Sequence, residues 1–144
     1  MKQTTPRSFC IVIAAVLLAF AASVVSGAAQ GKTAKDGGIY AEAQATRGEG
    51  VYAQQCGSCH GADLKGSGAP ALVGQDFIGN WHDMSVADLT DKIATSMPSN
   101  APGSLSRGQV GDLVAYIFKA NGFPAGTVEL DVDDHALKTV KIAP

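Results

Sequence analysis

The sequence predicts an all-α domain of three main helices joined by long loops. Two helices are marked by capping residues followed by apolar residues at helical spacing, and a third by the alignment of three residues on one face. No pair of alternating segments able to form a sheet accompanies them.

Residues 1–29 read as a secretory signal. Lys2 and Arg7 supply a positive start, Phe9 to Val25 an uncharged apolar run, and Val25 to Ala29 small residues suited to cleavage. An uncleaved membrane anchor is the alternative, although the run sits at the short edge of spanning length. Cleavage would also remove Cys10, leaving two of the three cysteines and none for a disulfide. Residues 30–42 begin polar and glycine-rich and read as a flexible leader, with order starting near Ile39 and Tyr40.

The first helix is expected from about Ala43 to Gln55, with Gly48, Tyr52 and Cys56 on one face. Glycine costs helix propensity, so Gly48 reads as a place where another helix approaches closely. Gly61 to Asn80 holds five glycines and Pro70 and shows no sustained pattern. A loop of that length in a small domain suggests a task such as wrapping a cofactor.

Ser85 with Asp88 at N3 opens the second helix, whose stripe is Val86, Leu89 and Ile93. It should end near Ser96, because Met97 precedes Pro98 and is pushed out of helical geometry. Ser106 and Gln109 form a capping box for the third. Val110, Leu113, Val114, Ile117 and Phe118 make its wide apolar face, and Asn121-Gly122 its stop. Residues 124–144 then read as a tail packed along the domain 43–123.

The chemistry is concentrated in Cys56-Gly57-Ser58-Cys59-His60, a C-x-x-C-H run. Two thiols three positions apart can each form a thioether with a porphyrin vinyl group, which places His60 as an axial ligand to the iron of a c-type haem. A structural zinc site would need four ligands, and only Cys10, His82 and His135 remain, none at ligand spacing. A redox dithiol would want a βαβ setting that is missing. The other axial position has four candidates: Met84, Met97, His82 and His135. Met97 is preferred because Pro98 holds it extended at a helix end. Met84 can instead cap the second helix as a staple on Leu89. The alternative is an open or histidine-bound iron, as in a peroxidase-like haem enzyme or gas sensor.

Charge narrows the partners. Without Lys2 and Arg7, 13 acidic residues face the remaining nine of 11 basic ones, so nucleic acid and anionic membrane surfaces are poor partners.

With these residues in view, positions 38 to 123 resemble a class I c-type cytochrome. The resemblance is carried by Tyr52 four residues before the C-x-x-C-H-G run, Ala69-Pro70-Ala71-Leu72, Trp81, Met97-Pro98, and the last helix with Leu113, Tyr116 and Ile117. It implies the small class I cytochrome c fold, three main helices plus haem-wrapping loops, with first and last helices crossing near Gly48 and Tyr52. It also implies that one covalent haem is held by Cys56, Cys59, His60 and Met97. The Pro70 carbonyl would orient His60, and Trp81 would approach a haem propionate. Gly38-Ile39-Tyr40, Gln44, Arg47-Gly48 and Phe123 to Gly126 are similar to single-haem cytochromes that accompany periplasmic quinoprotein dehydrogenases. The implied function is periplasmic electron transfer, from a dehydrogenase to a terminal oxidase or another cytochrome, with no catalysis of its own. A lysine-rich docking face, as in mitochondrial cytochromes, is missing.

Overall fold

The computed structural model describes residues 33–143. The export signal, Cys10 and the start of the leader lie outside the described residues. Among those described there are five helices and no strand: α1 (Glu42–Gln55), α2 (Gly57–His60), α3 (Gly74–Trp81), α4 (Val86–Ser96) and α5 (Arg107–Ala120). Short 3-10 turns lie at Ala34–Asp36 and His135–Lys138. The all-α class is the one expected, with two more helices than the three the sequence marks.

Packing of α1 on α5 is the centre of the fold, and Gly48 makes it possible. A Cβ at Gly48 would overlap the Asp112 carbonyl and lie 2.9 Å from the Tyr116 Cβ. The apolar face of α5 is fully inserted: Val110, Leu113, Val114, Ile117 and Phe118 are all buried. Both capping signals act as read. Ser85 Oγ accepts from Asp88 N at 3.1 Å while Ser85 N donates to the Asp88 carboxylate at 2.8 Å. Ser106 and Gln109 repeat the reciprocal pair at the start of α5. Asn121 ends that helix, and Gly122 turns with φ 75° as a left-handed terminator.

The segment read as wholly loop contains α3. Its punctuation comes from far along the chain: Gly74 N donates to Asn121 Oδ1 at 3.0 Å, and Asn121 Nδ2 donates to the Leu72 carbonyl at 2.9 Å. Phe77 is the buried anchor, stacked at 6.4 Å on Trp81.

Residues 33–41 are packed where the composition reads as a flexible leader. Ala34 and Tyr40 are buried, and Tyr40 Oη donates to the Phe123 carbonyl at 2.6 Å. Isolated bridges join Thr33 to Lys141 and Ala41 to Gly126. The tail covers the other side of this contact, burying Leu130, Leu137, Val140 and Ile142. Gln44 substitutes for a strand partner, since its side-chain amide exchanges two hydrogen bonds with Leu130, at 2.9 and 2.8 Å. Arg47 adds a double clamp, pairing Asp112 of α5 at 2.9 Å and Glu129 of the tail at 2.9 Å. A planar guanidinium can serve two carboxylates in this way, and a lysine cannot.

Candidate cofactor site

A cavity of about 580 Å³ opens beside the α1–α5 crossing. It is bounded by the end of α1, α2, the loop after it, the end of α3, one face of α4 and the loop that follows. Its apolar wall includes Leu72, Leu89, Ile93, Leu113 and Ile117. The volume falls in the range of small-molecule and cofactor sites.

Every site residue named from the sequence lines this one cavity: Tyr52, Cys56, Cys59, His60, Pro70, Trp81 and Met97. Cys56 is half-buried, Cys59 is exposed, and neither is in a disulfide. Burial, and secondarily Cys59, push the Cys56 thiol upward. The four-residue helix α2 carries Cys59 and His60, and Gly61 ends it with φ 80°. His60 Nδ1 lies 2.7 Å from the Pro70 carbonyl. That carbonyl can only accept, so Nδ1 bears the proton and Nε2 keeps its lone pair.

Tyr52 is buried and donates its hydroxyl to the Gly61 carbonyl at 2.6 Å, bracing the turn that follows His60. Burial above all, with smaller contributions from Cys56, Tyr116 and Asp63, pushes its pKa up to about 12. Its ring meets Tyr116 at 5.3 Å, tying this brace to α5. Met97 ends α4 in extended geometry (φ −122°, ψ 151°), with its N–H on the Ile93 carbonyl. Of the four sequence candidates for the second axial position, Met97 alone lines the cavity. Met84 is 41% exposed, His82 pairs with Asp83 at 3.1 Å, and His135 sits in the second 3-10 turn, off the cavity lining.

Sequence reading missed Asn80, Lys92 and Asn100, which also line the cavity. Lys92 carried a faint signal, lying next to Ile93 and three residues after Leu89 on the stripe of α4. The donor set suits a haem: two thiols for vinyl groups, an imidazole and a thioether for iron, an apolar wall for the macrocycle, and no Asp or Glu on the lining. Among the described residues no group of three or more His, Cys, Asp or Glu side chains is placed to hold a metal ion.

Fold and cavity together define a c-type cytochrome domain. Residues 43–117 match the family model described as cytochrome c oxidase, cbb3-type, subunit III. Cytochrome c-551 of Bacillus subtilis (strain 168) is 32% identical over 106 residues, covering 71% of this chain and 86% of that protein. The cbb3-type cytochrome c oxidase subunit CcoP of Rubrivivax gelatinosus is 32% identical over 83 residues, covering 56% of this chain and 27% of that subunit. A solved structure of the sulfane dehydrogenase SoxCD from Paracoccus pantotrophus aligns at TM-score 0.49 and 17% identity, over 97% of this chain and 66% of that one. The chain belongs to the cbb3-type subunit III family of class I c-type cytochromes and carries covalently bound haem c with its iron.

Proposed function

We propose that this protein is a single-haem electron carrier of the periplasm, taking electrons from a dehydrogenase and giving them to a terminal oxidase or another cytochrome. The observation that carries the reading is the convergence of Cys56, Cys59, His60 and Met97 on one apolar cavity. When bound, the haem supplies a one-electron change at iron between Fe(II) and Fe(III).

The chain's residues set the terms of that change. Cys56 and Cys59 would hold the ring through thioether bonds, each S–H adding across a vinyl group so that its hydrogen ends on the vinyl carbon. His60, turned by the Pro70 carbonyl, offers Nε2 to the metal. Met97 offers a soft thioether from a different element, which favours ferrous iron and raises the potential relative to two histidines. With haem bound, it would also take the position where oxygen or peroxide could bind, so the site would suit transfer better than catalysis.

Gly57, Ser58, Gly61, Ala62, Gly66, Ser67, Gly68 and Ala69 give the attachment run small, uncharged surroundings, and the nearby charges Asp63 and Lys65 pair at 3.4 Å. A partner docking on this neutral rim would form a small, short-lived interface whose rate depends only mildly on salt. A quinoprotein dehydrogenase is the donor class favoured by the sequence resemblance, and CcoP, by its name an oxidase subunit, supports an oxidase as acceptor class. Export rests on the signal-like residues 1–29. Among the described residues no helix is long and apolar enough to cross a membrane.

An optical spectrum of the purified protein tests the reading. We expect narrow reduced bands, a weak sulfur-to-iron band when oxidised, and no rapid uptake of carbon monoxide. Ready carbon monoxide binding would instead indicate an open-site enzyme or sensor.

A further inference from the structure

Lys92 is the one Lys, Arg, Asp or Glu side chain on the cavity lining. Its place on the wall follows from α4, whose neighbouring Leu89 and Ile93 are buried against the core. Among the described residues its ammonium makes no hydrogen bond or ion pair. Lys65, Lys119 and Lys141 are all engaged, with Asp63, Glu42 and the Asp83 carbonyl respectively. Other charges on the elements around α4 are spoken for as well. Asp88, one turn back, is held by Ser85. On α5, Asp112 is held by Arg47, Arg107 by Asp133 and Lys119 by Glu42. Asp91 is exposed on α4, and His135 and Lys138 lie in the 3-10 turn that packs on it, none of the three lining the cavity.

A lone cation at the margin of an apolar chamber is complementary to an anionic group on an otherwise apolar occupant. A haem is such an occupant, an apolar macrocycle bearing two propionate carboxylates. We propose that Lys92 is a positioning residue for the haem, its ammonium pairing with a propionate and holding that carboxylate ionised. Neutral donors on the same lining, Asn80, Trp81 and Asn100, can complete the carboxylate's hydrogen bonds. The inference rests on the cavity being the haem site.

The test is the midpoint potential of the haem-loaded protein measured against pH. Deprotonation of a propionate lowers the potential, so the curve steps down across its pKa. An opposite charge within ion-pair range depresses a carboxyl pKa by about one to three units. Lys92→Gln and Lys92→Met should therefore move the step upward by about one pH unit or more, and Lys92→Arg should leave it in place. Lys138→Gln, which removes an exposed lysine away from the cavity, should not move it. If both neutral variants keep the native step, or Lys138→Gln moves it equally, the pairing is refuted. A native protein without haem would overturn the reading of the cavity and the pairing together, whereas a loaded protein with an unmoved step overturns the pairing alone.

Discussion

Replacing Gly48 by alanine strikes the helix crossing on which the cavity is built. The added Cβ would overlap the Asp112 carbonyl and crowd the Tyr116 Cβ at 2.9 Å. Neither atom is the end of a flexible side chain, so α1 and α5 must move apart. Forcing one methyl into a packed core costs about 1–3 kcal/mol, and overlap with backbone puts this position near about 3. Alanine recovers up to about 1 kcal/mol of helix propensity, leaving a net loss of about 2. Gly50 lies on the same helix, is exposed, and has nothing within 4 Å of an added Cβ. Gly50→Ala should accordingly stabilise the protein by up to about 1 kcal/mol. Urea denaturation of the haem-loaded variants, followed by far-ultraviolet circular dichroism, separates the two by about 3 kcal/mol on this reasoning. If Gly48→Ala is as stable as the native protein, close approach at that glycine is refuted.

Other expectations follow from the same geometry. Met97→Ala should lower the reduction potential and let carbon monoxide bind, whereas Met84→Ala should do neither; a redox titration and a carbon monoxide difference spectrum decide between them. The Tyr52 pKa is raised from 10.0 to about 12, so its stabilising contribution is complete below about pH 10 and is lost as pH rises toward 12. Tyr52→Phe should cost about 1 kcal/mol at neutral pH through the lost bond to Gly61 and should remove that alkaline loss, as read from unfolding curves between pH 9 and about 12. Glu129 is lowered chiefly by its hydrogen bonds from Arg47, so its contribution is present above the ordinary carboxylate range and disappears as pH falls through the lowered pKa. Arg47→Ala should abolish that acid-sensitive part and speed proteolytic cleavage between residues 127 and 134.

The elements legible in the sequence were those whose signals are local. Ser85 with Asp88, Ser106 with Gln109, and Asn121-Gly122 are satisfied within a few residues, so α4 and α5 fall where the pattern puts them. The C-x-x-C-H run, Tyr52 and Met97 were legible for the same reason, since spacing and the proline after Met97 fix their backbone. By contrast, α3 is punctuated by Asn121, 47 residues away, and includes Gly74 and Gly79, which weaken any local pattern. Residues 33–38 read as flexible because Ala34 is their one apolar residue. Their order comes from the far end of the chain, through the Ala34 N bond to the Lys141 carbonyl at 2.7 Å and the meeting of Gly38 with Gly126. The tail is held at Leu130 by the side chain of Gln44, a partner that no local pattern in the tail announces. Lys92 went unread because its place beside the stripe of α4 gains meaning only from the cavity it lines.

Intact mass of the protein under denaturing conditions, after expression with a haem-attachment pathway, is the most direct check. Cys56 and Cys59 bonded to porphyrin predict one haem of added mass that survives denaturation and vanishes in the double Cys56→Ala, Cys59→Ala variant. A native chain of bare polypeptide mass from such cells would contradict the covalent site.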